Sequence, residues 1–151
     1  MKIYLDVSCL NRPFDDQSQV RIRLEAEAVA LVLERMDLGI WQQVSSEIAR
    51  LEVEAIGDPE RKQRVQTLLE DVEICVRLTN KEFSRAAILE TLGFKAADAL
   101  HVAAAETATA DVLLSCDDRL CRLAKRCQRQ LRVQVVNPLD WLQELEHDSN
   151  A

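Results

Sequence analysis

Ala96-Ala97-Asp98-Ala99-Leu100-His101-Val102-Ala103-Ala104-Ala105-Glu106-Thr107, with Asp111-Val112-Leu113-Leu114-Ser115 close behind it, sets the pattern of the whole chain. The first run is Ala-rich and apolar on nearly every side, which predicts a helix over 96–107 lying mostly out of water. The second is short and rich in Val and Leu, which predicts a strand. The same alternation recurs outward from this point. Strand-like runs fall at 3–6, 43–45, 73–78, 111–115 and 133–136, and helical patterns fill the intervals at 17–35, 46–56, 60–70, 80–93, 96–107 and 117–129. Over 17–35 the apolar stripe is Val20, Leu24, Ala28, Leu31 and Val32, with Arg21, Arg23, Glu25 and Glu27 elsewhere. Asp58-Pro59 reads as an N-cap followed by proline at the first helical position. Asn80 reads as the cap of the helix ending near Gly93, and a last short helix starts after Asn137-Pro138. Strands separated by helices make crossovers, which require a parallel sheet covered on both faces. The expected fold is therefore a three-layer α/β domain, with its ligand crevice beyond the carboxyl ends of the strands.

The chain has 151 residues, of which 48% are hydrophobic and only 4% aromatic, with three Gly and three Pro. That length suits one domain with a sizeable core, and the composition excludes collagen-like, low-complexity and turn-rich all-β proteins. We expect the domain over residues 1–146 and a disordered acidic tail over 147–151. The start at Lys2-Ile3-Tyr4-Leu5 resembles a strand rather than a signal peptide, and no apolar run reaches membrane-spanning length, so a cytoplasmic, non-membrane protein is expected. Cys9, Cys75, Cys116, Cys121 and Cys127 include no CxxC pair and read as reduced structural thiols. The net charge of -7 restricts any nucleic-acid site to a local patch.

Acids stand where a crevice is expected. Asp6 ends the first strand, Asp117 and Asp118 follow the fourth, Asp98 lies in the first turn of the Ala-rich helix, and Glu52 lies one or two turns beyond the second strand. Taken singly, each has an ordinary structural explanation as a cap, a dipole partner or a surface residue. Asp98 resists it most, because a mostly buried helix keeps a charge only when something pairs it. Two carboxylates about 4 Å apart repel by roughly 4 kcal/mol at an effective dielectric near 20. A divalent cation relieves that repulsion, and oxygen donors suit Mg2+ or Mn2+ rather than zinc. Such an ion can acidify water for in-line attack on a phosphodiester without a covalent nucleophile.

Four segments then acquire a common meaning. Tyr4-Leu5-Asp6-Val7-Ser8, Ser45-Ser46-Glu47-Ile48-Ala49-Arg50-Leu51-Glu52, Ala97-Asp98-Ala99-Leu100-His101-Val102-Ala103 and Leu114-Ser115-Cys116-Asp117 resemble, in this order, the motifs of PIN-domain ribonucleases. The resemblance spans essentially the whole domain, including the closing turn Val136-Asn137-Pro138. It implies a three-layer α/β/α PIN-like domain with a five-stranded parallel sheet. Asp6, Glu52, Asp98 and Asp117 become the metal-binding and catalytic acids, with Ser8 and Ser115 as supporting hydroxyls. The implied activity is divalent-metal-dependent hydrolysis of RNA. A homodimer is implied as well, and in many bacterial members a toxin neutralised by an antitoxin protein. Two departures stand out: Ser115 occupies a position where Thr is usual, and Asp118 adds an acid that competes with Asp117. Glu47 is the alternative to Glu52.

Residues 117–132 carry six basic residues against Asp117 and Asp118. Arg119, Arg122, Arg126 and Arg129 are spaced to share one helix face. Either this face is only a solvated surface, or it steers an RNA phosphate toward an otherwise repelling acidic pocket. Arg119 and Arg122, together with Arg12 on the loop after the first strand, are the RNA-contact candidates. Without aromatic stacking platforms, no base preference is readable. Other chemistries fit less well. A receiver domain wants Lys where Asn137-Pro138 stands, and an Asp-x-Asp phosphatase fails at Ser8. The alternative that survives is a catalytically silent PIN-like module that binds RNA or a protein partner.

Overall fold

The computed structural model describes residues 1–150, with Asn150 described by its backbone alone. The five apolar runs become strands β1 (Lys2–Leu5), β2 (Gln42–Ser46), β3 (Ile74–Val76), β4 (Val112–Leu114) and β5 (Gln134–Val136). They lie in the order β3-β2-β1-β4-β5, and every neighbouring pair is parallel. β1 is central because it is apolar on both sides: Ile3, Tyr4 and Leu5 are all buried. Side chains alternate across a strand, so Ile3 and Leu5 enter one core while Tyr4 enters the other.

Helices cover each face. Ile3 and Leu5 pack among buried residues of α1 (Val7–Asn11), α2 (Val20–Asp37), α3 (Glu47–Glu54), α4 (Pro59–Leu69) and α8 (Pro138–Asn150). Tyr4 packs among those of α5 (Asn80–Thr91), α6 (Ala96–Thr107) and α7 (Asp118–Arg126). The fold is thus the expected three-layer α/β/α domain with a five-stranded parallel sheet. No helix among the described residues is long and apolar enough to cross a membrane.

Local chemistry explains both the agreements and the departures. Asp58 caps α4 by accepting from the Glu60 and Arg61 amides, with Pro59 in the first turn. For α5 the cap is Thr79 rather than Asn80, because Thr79 and Glu82 form a reciprocal capping box. Gly93 takes a φ of +109°, which lets the chain reverse from α5 into α6. The largest departure is the buried face of α2. Val20, Leu24 and Leu31 of the expected stripe are 60%, 40% and 37% exposed, while Glu25 turns inward with Ala28, Val29 and Val32. Glu25 tolerates burial because Arg12 Nε lies 3.1 Å and Arg21 Nε 3.5 Å from its carboxylate, and Asn137 Nδ2 donates to it. α8 runs from Pro138 to Asn150, across most of the segment expected as an acidic tail, and Ala151 lies outside the described residues.

The sheet order places the crevice. From β1 the chain moves outward through β2 and β3, then returns to the opposite side of β1 for β4 and β5. Strand order reverses between β1 and β4, and a doubly wound sheet opens its ligand cleft at that point.

Candidate functional site

Asp6 and Asp117 flank this cleft because they follow adjacent strands. The Asp6 amide donates to the Leu114 carbonyl at 3.0 Å, extending the ladder by one bond past β1. The Asp6 carboxylate then caps α1, accepting from Val7 N at 2.9 Å, and also accepts from Ser8 Oγ and Ser115 Oγ, each at 2.8 Å. Each serine is itself held, since Ser8 Oγ accepts from Cys116 N and Ser115 Oγ from Asp117 N. Both hydroxyls therefore fix the orientation of Asp6. Asp117 caps α7, taking the amides of Arg119 and Leu120 at 3.0 and 3.2 Å. The ordinary explanation of these two acids as N-caps is thus correct, and the same caps bring them to one crevice.

Asp98 and Glu52 approach from helices on either side. Asp98 stands in the first turn of α6, partly buried. Burial and the negative charges of Asp6, Asp117 and Glu52 raise its pKa from 3.8 to about 6, against a smaller opposing effect of His101. The four acids therefore share one electrostatic neighbourhood. Glu52, on α3, contacts His101 Nε2, and donor atoms of Asp6, Glu52 and His101 all lie within 4.8 Å of one another. Glu47 is engaged elsewhere, accepting from Leu78 N at 2.8 Å beyond β3.

The basic candidates divide. Arg119 and Arg122 are exposed on α7, where with Lys125 and Arg126 they line a shallow depression. Arg129 lies beyond their helix, since α7 ends at Arg126 and Arg129 belongs to a separate 3-10 turn, Gln128–Gln130, but it lines a second depression together with Arg122 and Lys125. Arg12, expected on a loop, sits in the 3-10 turn Arg12–Phe14, its guanidinium paired with Asp15 at 3.1 Å as well as with Glu25. Asp118 pairs with Arg21 of α2. Two thiols near the cleft are held protonated, since burial pushes Cys9 well up and burial beside Asp117 and Asp118 pushes Cys121 up to about 12.

His101, Tyr4 and Ser46 were missed as functional residues. His101 is 1% exposed, and its Nδ1 lies 2.6 Å from Tyr4 Oη, which lies 2.6 Å from Ser46 Oγ. Burial disfavours the imidazolium, but the bond to Glu52 and the charges of Asp6, Glu52 and Asp98 leave the His101 pKa above its ordinary value. A usable signal existed. His101 is three residues beyond Asp98 on the same apolar helix, so the two share a face, and the argument that a buried polar group needs a partner applies to both.

The same architecture recurs in known proteins. A PIN domain family model matches residues 3–126. Among solved structures, FitAcB from Neisseria gonorrhoeae is similar with a TM-score of 0.56 and 20% identity, over 90% of this chain and 97% of that one. VapBC2 from Rickettsia felis, bound to a DNA fragment from their promoter, is similar with a TM-score of 0.54 and 13% identity, over 91% of this chain and 98% of that one. At such identities the likeness speaks for the fold alone. No match was found among curated proteins. With the family model covering most of the sheet and every acid of the cleft, the chain belongs to the PIN-domain family.

Proposed function

We propose that this protein is a divalent-metal-dependent endoribonuclease whose catalytic acids are Asp6, Glu52, Asp98 and Asp117. The observation that supports the reading is the close group of Asp6, Glu52 and His101 beside the point where strand order reverses, with Asp98 near enough to Asp6, Asp117 and Glu52 for their charges to act on it. PIN domains are nucleases as a family, which supports hydrolase chemistry at a coarse level. The donor set fits a hard cation, because its oxygens are carboxylate oxygens and positive charge relieves both the burial of the Asp98 carboxylate and its repulsion by Asp6 and Asp117. Mg2+ or Mn2+ is the ion proposed. Once bound, it supplies an acidified water and charge stabilisation at the phosphate.

The residues of the chain hold and orient. Ser8, Ser115 and the Val7 amide fix Asp6, and the first amides of α7 fix Asp117. Glu52 takes the fourth place rather than Glu47, whose carboxylate serves Leu78. Arg119 and Arg122 lead single-stranded RNA toward Asp117. Arg12 drops out of the RNA surface because its charge is spent on Asp15 and Glu25. We propose further, from the family resemblance, that the chain forms a homodimer and acts as a toxin held by an antitoxin protein. Solution mass and co-purification with the product of an adjacent reading frame test these two points.

The decisive assay is cleavage of single-stranded RNA by purified protein with Mn2+ or Mg2+. Cleavage lost in chelator and lost in Asp98→Asn is the expected result. RNA binding with no cleavage in either metal would overturn it in favour of a silent binding module.

A further inference from the structure

Three of the four acids have a visible reason to stay where they are, or none to move. Asp6 is held by an amide and two hydroxyls, Asp117 by two amides, and Asp98 projects from the first turn of a buried helix. Glu52 differs. It lies on the eight-residue helix α3, its side chain is 38% exposed, and it has three rotatable bonds with Asp6 nearby to repel it. What holds it is His101.

The hydrogen bonds around His101 have a direction. Ala49 N donates to Ser46 Oγ at 3.2 Å. The Ser46 proton is then free for Tyr4 Oη, whose own proton goes to His101 Nδ1, leaving the other ring nitrogen protonated toward Glu52. If the ring is doubly protonated, Nδ1–H donates to Tyr4 Oη, Tyr4 donates to Ser46, and Nε2–H again faces Glu52. The remaining arrangement, with the proton on Nδ1 alone, sets a lone pair against a carboxylate and is repulsive. In both states that the metal-free chain favours, Nε2 presents a proton rather than a lone pair to Glu52, within a group in which Asp6, Glu52 and His101 all lie close together.

We propose that His101 is a positioning residue, which through Nε2–H holds the Glu52 carboxylate toward Asp6 while the buried hydroxyls of Tyr4 and Ser46 hold the imidazole in turn. The inference rests on the metal-site reading above and deepens it. Tyr4 ties the device to the sheet, since it belongs to β1 and precedes Asp6 by two residues. The chain that places Asp6 thereby also places the group that orients Glu52.

Two isosteric variants separate positioning from mere packing. In His101→Gln the amide nitrogen falls near Nε2 and keeps a donor for Glu52. In His101→Asn it falls near Nδ1 and keeps only the Tyr4 contact. Mn2+ affinity of the metal-free full chain, read by the disappearance of the free-ion EPR signal, is expected to fall about 10- to 100-fold in His101→Asn, the usual cost of losing a group that orients a ligand, and to fall much less in His101→Gln. Equal loss in both variants, or no loss in either, overturns the proposal. If neither variant folds, Tyr4→Phe removes only the hydroxyl: weaker Mn2+ binding supports the proposal, and unchanged binding overturns it. Wild-type protein that binds no Mn2+ would remove the metal reading itself. The His101–Glu52 bond is judged separately from nitrogen-15 spectra of metal-free wild type, in which a proton on Nε2 is expected and a proton on Nδ1 alone overturns the proposal.

Discussion

Asp98→Asn keeps the shape of the side chain and removes one charge from the crowded cleft. The rise of the Asp98 pKa from 3.8 to about 6 comes from burial and from Asp6, Asp117 and Glu52. A lift of about two units corresponds to about 3 kcal/mol of unfavourable ionisation at pH 8. Asp98 is partly exposed, so screening reduces this to about 1–2 kcal/mol. Losing an acid from the first turn of α6 returns roughly 0.3–1 kcal/mol in the opposite sense. The variant should therefore be more stable than wild type in chelator at pH 8 by about 1 kcal/mol, or about 2–4 °C in Tm for a chain of this size. The difference vanishes in acid. A raised carboxyl pKa means that the folded state binds the extra proton between 3.8 and about 6, so the wild-type penalty is full above that window and gone below it. Saturating Mn2+ should invert the order, because a hundredfold excess over the dissociation constant adds about 2.7 kcal/mol to a protein that binds it. Thermal melts of both proteins between pH 4 and pH 8, with chelator and with Mn2+, test all of this. A variant less stable than wild type in chelator at pH 8, or one that gains as much from Mn2+, refutes the assignment.

Charge reversal at both Arg119 and Arg122 should weaken RNA binding and flatten its salt dependence by about 0.7 in log–log slope for each phosphate no longer neutralised; an unchanged slope would show that the α7 surface is only solvated. Glu82 is buried, yet the bonds from Thr79 and Thr107 outweigh burial and bring its carboxyl from 4.5 down to about 2. Its contribution to stability is therefore present above pH 4.5 and lost as pH falls toward 2, and Glu82→Gln should cost on the order of 2–3 kcal/mol at pH 7 in denaturant melts but little near pH 2. Glu25→Ala removes the acceptor of the buried Asn137 amide and one of the two carboxylates beside Arg12, which keeps Asp15, and should destabilise by about 1–3 kcal/mol; a Tm within error of wild type would mean that water replaces Glu25 at no cost.

The layers of the fold were legible because their signals are periodic: apolar strands alternating with helices leave one class of architecture. The elements missed were those whose signals are short or reciprocal. α1 is only five residues long, too short for a 3.6-residue pattern to register. The sequence allows Asp6 a capping role but shows no helix for it to cap. The cap of α5 went to Asn80 because the reciprocal Thr79–Glu82 pair is visible only when both ends are weighed together. The inward turn of Glu25 is mostly non-local, since Arg21 is its neighbour one turn back on α2 but Arg12 and Asn137 come from other parts of the chain. In the cleft, Asp6, Asp98 and Asp117 stand out in the sequence because they end strands or open helices, whereas Glu52 lies inside α3. His101 does not stand out, because its role depends on Tyr4, Ser46 and Glu52 meeting across the sheet.

The double duty of Asp6 and Asp117 bears on how related sequences can be sorted. Each caps a helix as well as facing the cleft, so folding selects for it whether or not RNA is ever cut. A descendant that had abandoned cleavage would be expected to keep both. Asp98 has no such structural tenure and raises the energy of the folded chain when no ion is present. In a lineage released from catalysis it is the acid that drift removes first. Its presence at this position is therefore a better marker of a working nuclease than either of the two aspartates that the sheet itself displays.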